Sequence, residues 1–401
     1  MLRALDDAVV LEIGDVTGVE YAGKLLADLG ARVVKIEPPD GARSRHQPPF
    51  QGDASDPDSS IHFWYYNTSK ESVVCDVTTA QGRERLQALL PGATVVLDGG
   101  DAPLPAMLGL AGTGAEALGQ GIVYCRITPF GDDGPWAGYR SSDLVQLAVG
   151  GIMASCGYDD PTAHPVAPSG SQSHHMTGVN IAMGVLVALL GRSRTGAAAP
   201  LDVSAHDCVA LSTEMAFTYW EYQRTTPRRQ TGRHARPYDT SAWNHLCRDG
   251  RYVSCLPLYL TDDRFAAMVD WFDEHGCAGN LRDPRYATRD QRTALLDEII
   301  PVIAEFCARQ DSDYVFHEGQ ARRLPWAPVG ATWDLLADPH FIDREAFVMV
   351  ARPEPDATFS YPGAPYKLSR TPWSLTGHAP SLPHPEAPAH PAALVAKGGN
   401  A

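Results

Sequence analysis

At 401 residues the chain exceeds the size at which a single hydrophobic core keeps growing, so two domains are expected. Its 44% hydrophobic and 20% charged residues are ordinary for a globular enzyme. A net charge of −15 argues against nucleic acid, and against an anionic membrane, as a general partner.

Val9–Ile13 reads as a short apolar strand, Gly14 opens a loop, Tyr21–Leu29 has helical spacing, and Ala31–Ile36 is a second strand. Strand, helix and strand in so few residues imply a parallel βαβ unit with a right-handed crossover. No GxGxxG is present, so a nicotinamide or flavin site is not indicated. The acids inside the first apolar run leave no signal-peptide core, and the protein is read as soluble and cytoplasmic.

A polar loop over residues 38–60 precedes Phe63-Trp64-Tyr65-Tyr66 and a strand at Ser72–Val77. Gln81–Leu90 is an amphipathic helix, and Thr94–Leu97 and Ile122–Ile127 are strands. A Phe130-Gly131-Asp132-Asp133-Gly134-Pro135 turn follows, then a helix and a small-residue turn within Tyr139–Gly157.

Gly170–Asp207 is the stretch around which the chain is organised. Val179–Leu190 is apolar nearly all round, which predicts a helix buried in a large core. Its dozen apolar residues are too few for a bilayer span of ~20. Gly191 is the expected stop, with Arg192 and Arg194 suited to a helix C-terminus, and Leu201–Ser204 is a strand. His174 and His175 are expected in the loop just before the helix, facing a cleft. His206-Asp207 resembles half of a triad, but no G-x-S-x-G elbow accompanies it, and Asp207 is read as a helix-start residue.

Residues 220–236 are polar and basic, as at a crossing between domains. A hairpin is expected at Trp243–Leu258 on the Asp249-Gly250 turn, with helices at Thr261–Gly276 and Arg292–Arg309. Pro365–Pro372 is read as a final strand, and the Pro-, Ala- and His-rich end as a disordered tail. The eight cysteines form no Cys-x-x-Cys pair and the histidines no His-Glu-x-x-His, so neither a disulfide nor a metal is expected.

Thr177-Gly178, the helix ending in Ala188-Leu189-Leu190, Arg192-x-Arg194-Thr195-Gly196 and Asp202-Val203-Ser204 together resemble the class III CoA-transferases. These are the formyl-CoA, carnitine and bile-acid CoA-transferases, with the α-methylacyl-CoA racemases. Leu25–Arg45, Asn67-x-x-Lys70, Phe130-Gly131-x-x-Gly134-Pro135, Asp283-Pro284-Arg285-Tyr286 and Leu324–Val329 extend the resemblance over roughly residues 7–384. The resemblance implies an α/β fold. Residues 1–219 and 325–385 would form a Rossmann-like large domain, and 220–324 a linker and a small α+β domain, with a tail at 386–401. It also implies an interlocked homodimer, a small-molecule acyl substrate, and coenzyme A as thioester co-substrate, contacted by Arg45, Lys70 and Gly131.

The chain departs from that pattern at the reacting position. Four residues before the Gly of Thr-Gly the family carries an aspartate nucleophile; here the residue is His174. Asp143 falls where relatives carry an acid near the thioester, and the histidine that racemases place before it is Ser142. Met107 stands at an arginine position, which removes a charge-assisted hydrogen bond worth ~1.5–3 kcal/mol. An imidazole suits proton transfer better than acyl carriage. His174, Asp143 and His175 are therefore the candidate catalytic residues. Three readings follow: CoA transfer between carboxylic acids at an altered site; an isomerase, racemase, dehydratase or cyclase whose substrate need not be carried on CoA; or a silent binding homologue.

Overall fold

The apolar runs of the first half assemble into one six-stranded parallel sheet. The computed structural model describes residues 2–52, 56–110, 117–118, 121–257 and 260–383. The strands are β1 (Val9–Ile13), β2 (Arg32–Glu37), β3 (Glu71–Val74), β4 (Val95–Asp98), β5 (Val123–Thr128) and β6 (Leu201–Ser204), in the order β3-β2-β1-β4-β5-β6. Val10 pairs with Val33 on one side and Val95 on the other. The strands are rich in Val, Ile and Leu because both faces are covered, as parallel sheets require.

The helices of this half of the chain are α1 (Thr17–Asp28), α2 (Ile61–Tyr66), α3 (Ala80–Gln87), α4 (Leu104–Met107), α5 (Asp143–Val149), α6 (Ile152–Ser155), α7 (Gln172–Thr195) and α8 (Ala205–Leu211). Val19 and Leu26 of α1 and Ile181 and Val185 of α7 share a core with Val33, Val95 and Val123 of the sheet. Leu86 and Leu89 pack with Leu11, Val34, Val96 and Tyr124 in a second core. Strand order reverses between β1 and β4, the crevice where open α/β sheets take ligands.

α7 is longer than its apolar run predicts, because it takes in the polar Gln172–Met176 and passes straight through Gly191. A glycine in a long, packed helix costs only ~1 kcal/mol. The helix ends at Gly196, whose φ of +75° suits a left-handed cap. At 24 residues α7 is long and apolar enough to cross a membrane, where the expected helix was not. Nor is it buried all round. Ile181, Val185 and Ala188 face the core, while Val179, Met183, Val187 and Leu190 are exposed, Val187 by 65%.

α1 starts at Thr17, four residues before the periodic stretch, and there it meets α7. A Cβ on Gly178 would lie 2.8 Å from the Gly18 carbonyl oxygen and from the Tyr21 ring, and one on Gly18 would lie 3.2 Å from the His174 carbonyl oxygen. Two bare backbones make this approach possible.

The chain separates into two units. The first holds the residues up to Ile152, Pro168–Glu214 and those from Pro339 onward; the second holds Met153–Ala167 and Met215–Asp338. These bounds differ from the expected ones at three places, the second unit taking up the chain again at Met215 and not at residue 220. Residues 153–167 join the second unit, where the Arg229 guanidinium donates to the Ala163 carbonyl at 3.0 Å. Trp326 is buried there too, against Trp271, so the chain returns later than residue 325.

The second unit carries α9 (Glu214–Gln223), α10 (Asp262–Glu274), α11 (Arg289–Ala294), α12 (Leu296–Arg309) and α13 (Ser312–Ala321). Its antiparallel sheet is β7 (Asn244–Leu246), β8 (Tyr252–Ser254) and β9 (Ala327–Pro328), with Gly250 at φ +81° in the expected hairpin. Residues 292–309 are not one helix, since Leu295 leaves helical geometry.

In the first unit α14 (Pro339–Asp343) precedes a separate hairpin, β10 (Phe347–Arg352) and β11 (Ala357–Pro362). The strand expected at Pro365–Pro372 is irregular chain, bracketed by two prolines that cannot donate to a ladder. The expected tail lies outside the described residues.

Gly178→Ala is expected to destabilise the protein by about 1–3 kcal/mol, as overpacking of a close contact does. Urea unfolding followed by circular dichroism measures it, and an unchanged midpoint would mean that α1 and α7 can separate freely.

Candidate active site

Ser171 turns left-handed at φ +54° and offers α7 no side-chain cap. The cap comes instead from Asp143, whose Oδ1 accepts from the Ser173 N–H at 3.0 Å and the Ser173 hydroxyl at 2.7 Å. A carboxylate at a helix N-terminus satisfies an orphan donor and complements the dipole. Asp143 itself opens α5, so two helix starts are tied together. His174 and His175 therefore sit on the first helical turn of α7, not in a loop.

Structure brings the three candidate catalytic residues into one neighbourhood. Asp143 reaches His174 and His175 through its charge, while its hydrogen bonds go to Ser173. Burial lowers the His174 pKa; Asp143 opposes the shift, and His175 and His62 add to it. Burial lowers His175 as well, again against Asp143. Both imidazoles are thus neutral at neutral pH.

His175 Nε2 lies 2.9 Å from the Tyr66 hydroxyl, and its ring lies 4.7 Å from that of Tyr21. Burial, helped by the neighbouring Tyr65 and Tyr21, pushes the Tyr66 phenol far up, so it keeps its proton. His62, on α2, has its ring 4.8 Å from Tyr66 and a buried Nε2 without a partner.

Glu20 is fully buried. Its Oε1 takes Lys35 Nζ at 2.8 Å and the Ser44 hydroxyl at 2.6 Å, while Oε2 is left unpartnered. Burial alone would raise this carboxyl, but Lys35 and Lys70 outweigh it and lower the pKa to about 2.

Sequence reasoning missed His62 and Glu20 as neighbours of His174, and Tyr66 and Tyr21 as neighbours of His175. The available signal was Glu20, an acid inside the first helix, together with the aromatic run before Asn67.

The three residues expected to contact coenzyme A are placed otherwise. Arg45 is fully buried. Its Nε and Nη2 fork onto Glu37 at 2.7 and 2.8 Å, Nη1 pairs with Asp58 at 2.7 Å, and the guanidinium lies 3.7 Å over Phe63. Lys70 spends its three donors on Glu12 at 2.7 Å, the Glu20 carbonyl at 2.8 Å and Asn67 at 2.8 Å. Lys70 has no donor left for a phosphate, and Arg45, whose Nη2 also donates to the Pro380 carbonyl at 3.1 Å, is buried with four of its five donors taken.

Gly131, at φ +90°, forms a turn beside Asp132, Asp133 and Asp202, the wrong sign for a diphosphate. Arg43 is exposed on the turn after β2 and forms no ion pair among the described residues. Its charge acts on the nearby Asp15 carboxylate, which also accepts from the Arg43 backbone.

The sequence pattern of CoA-transferase family III matches residues 5–384. The chain is 30% identical to succinyl-CoA:mesaconate CoA-transferase of Haloarcula hispanica, over 95% of this chain and 94% of that one. It is 28% identical to succinyl-CoA:(R)-benzylsuccinate CoA-transferase subunit BbsE of Thauera aromatica, over 92% and 90%. The fold is similar to the crystal structure of a CaiB/BaiF family protein from Brucella suis, with a TM-score of 0.82, 25% identity and full coverage of both chains.

Arg45→Ala is expected to cost about 3–5 kcal/mol by stranding Glu37 in the interior. A melting curve checks it; a merely phosphate-binding arginine would leave stability unchanged. The lowered pKa of Glu20 means the folded state binds fewer protons than the unfolded one. Its contribution is present above the ordinary value of 4.5 and is lost as pH falls toward about 2. Unfolding midpoints measured across that window should fall with pH, and less steeply in Glu20→Gln.

Proposed function

The chain belongs to CoA-transferase family III, and on that premise we propose that it is an enzyme acting on an acyl thioester of coenzyme A, with His174 as proton acceptor. One observation carries this reading: the side chain at the start of α7 is a partly buried imidazole held in its neutral form, with an acid nearby. A carboxylate at that place can itself be acylated and then hold CoA as a thioester on its own carbonyl carbon. An imidazole has no such carbon. Its acyl adduct is cationic and hydrolyses readily, so covalent carriage is disfavoured.

A neutral imidazole instead removes a proton, most readily from the carbon next to a thioester carbonyl. Asp143 stabilises the imidazolium that forms. His175 and the Tyr66 phenol, hydrogen bonded to each other, supply protons for a developing enolate oxygen. Relatives named for succinyl-CoA support a small carboxylic acid as the acyl group. Arg43 is the exposed cation suited to the nucleotide end.

A second reading is favoured by the named activities of the relatives: CoA transfer between carboxylic acids, with Asp143 as the carboxylate. Its Oδ1 is engaged with Ser173, and Oδ2 is the oxygen it would use.

The exposed apolar side of α7 suits a second copy of the chain. Val179, Met183, Val187 and Leu190 recur at the spacing of one helix face.

The test incubates the purified protein with a panel of small acyl-CoA thioesters in heavy water. Deuterium should enter the acyl group next to the thioester, and His174→Ala should slow this by about 10²–10⁴-fold. Activity should fall only as pH drops below the ordinary histidine value, since His174 must be neutral. Exchange of labelled free acid into the thioester, abolished by Asp143→Asn and kept in His174→Ala, would favour transfer instead. In the same samples Arg43→Ala should weaken CoA binding by about tenfold in calorimetry. Val187→Glu should lower the sedimentation mass if a second copy covers α7.

A further inference from the structure

Glu20 carries a charge that the proposed thioester chemistry does not use. Its side chain is fully buried, and Lys35 and Ser44 take only Oε1. Oε2 is also buried and has no hydrogen-bond partner among the described residues. A pKa of about 2 keeps the carboxyl ionised. A buried carboxylate normally fills both oxygens, because an unmet charged acceptor bears the full penalty of its lost water. The missing donor is one that enters from outside.

The fold puts this oxygen at a ligand crevice. α1 begins just after β1, at the reversal of strand order where sheets of this kind take their ligands. Glu20 lies in the first turn of that helix. Its charge is felt by His62 and Tyr66 on α2, by His174 on α7 and by Asp15 in the loop from β1. Among the described residues none of these four side chains is hydrogen bonded to it. Groups from three parts of the chain thus surround one unfilled acceptor.

His62 offers the complementary atom. Its Nε2 is buried and unpartnered among the described residues, and its ring lies 4.8 Å from that of Tyr66. Burial lowers the His62 pKa against the pull of Glu20, so the ring is neutral and carries one N–H. Nε2 is the nitrogen turned to the interior, and there the Glu20 charge favours the tautomer with the proton on it. A charged acceptor and a neutral donor therefore stand in each other's field with no hydrogen bond between them. A hydroxyl completes both, donating to Glu20 Oε2 and accepting from His62 Nε2. A carboxylate has no proton to give, and Asp15 and Asp143 add to the repulsion it would meet. An ammonium has no lone pair for the His62 N–H.

We propose that Glu20 and His62 form a hydroxyl-binding subsite, so that the acyl group brought to His174 bears an alcohol where a dicarboxylate has its second charge. This rests on the acyl-thioester reading and narrows it to hydroxyacyl thioesters. Holding the alcohol also fixes the carbon beside the thioester carbonyl against His174, and such positioning lowers the barrier to proton removal.

The test measures calorimetric binding of CoA thioesters to the full chain carrying His174→Ala, which lacks the proposed base. The probes are 3-hydroxybutyryl-CoA and 4-hydroxybutyryl-CoA, set against butyryl-CoA, succinyl-CoA and β-alanyl-CoA. At least one hydroxyacyl thioester should bind about tenfold to a hundredfold more tightly than butyryl-CoA, and succinyl-CoA no better than butyryl-CoA. In the same background Glu20→Gln should abolish that preference and improve succinyl-CoA, and His62→Phe should reduce the preference about tenfold. Circular dichroism checks that each variant is folded, and His62→Phe decides if Glu20→Gln is not. Equal binding with and without the hydroxyl, tighter binding of succinyl-CoA or β-alanyl-CoA, or a preference that survives in the folded variants would overturn the subsite. Deuterium uptake by the wild type without a hydroxyl preference leaves the His174 reading standing and removes the subsite. A hydroxyl preference without deuterium uptake does the reverse, and no binding of any thioester removes both.

Discussion

Four carboxylates and four cations are taken almost wholly out of water on one side of the sheet: Glu12, Glu20, Asp28 and Glu37 with Lys24, Lys35, Arg45 and Lys70. Unpaired, each would cost several kcal/mol. They are tolerated because each finds its opposite. Glu12 bridges Lys35 at 3.0 Å and Lys70 at 2.7 Å, Lys35 also holds Glu20, Glu37 is forked by Arg45, and Lys24 holds Asp28 at 2.9 Å. These pairs tie β1, β2, the start of β3 and α1 together by directional contacts, which apolar packing alone would not make. α1 in turn sets the backbone of α7 through Gly18 and Gly178. The position of His174 is therefore inherited from an ion network, and the charge of one member, Glu20, also acts on the His174 imidazole.

Much of the scaffold was legible from local pattern. β1 and β6 fall at the residues their apolar runs mark, and the other strands of the main sheet fall within three. That sheet has the parallel βαβ start that close strand–helix spacing implies. What failed were inferences from the chain alone about its surroundings. All-round apolarity in α7 was read as all-round burial, but sequence cannot tell a core from a face left open. Arg45 and Lys70 were read as phosphate contacts because a cation stood in the right motif. Their actual partners, Glu37 and Glu12, come from other strands, and strand adjacency fixes those pairings.

The reacting neighbourhood was half legible for the same reason. His174, Asp143 and His175 share one locality, found by register against Gly178. Tyr66 and His62 arrive from α2, more than a hundred residues earlier, and Glu20 from α1. None of these belongs to a local motif, so only the tertiary arrangement shows that a phenol and a third imidazole stand beside His175. The acids after β5 give the opposite lesson. They were visible as Asp132-Asp133 and Asp207, but their convergence with Asp202 needed the sheet.

The bare contact between Gly18 and Gly178 has a consequence for how this site can change over time. The backbone at residue 174 is placed by atoms that are missing from two other residues, and the helix start is capped by Asp143 acting on Ser173. Neither the cap nor the close approach uses the side chain at 174. Codons for histidine and aspartate differ by a single base, so on the proposed reading one substitution exchanges a proton acceptor for an acyl carrier while the scaffold stays still. Such a site is a place where a lineage can switch reaction class without passing through an unfolded intermediate.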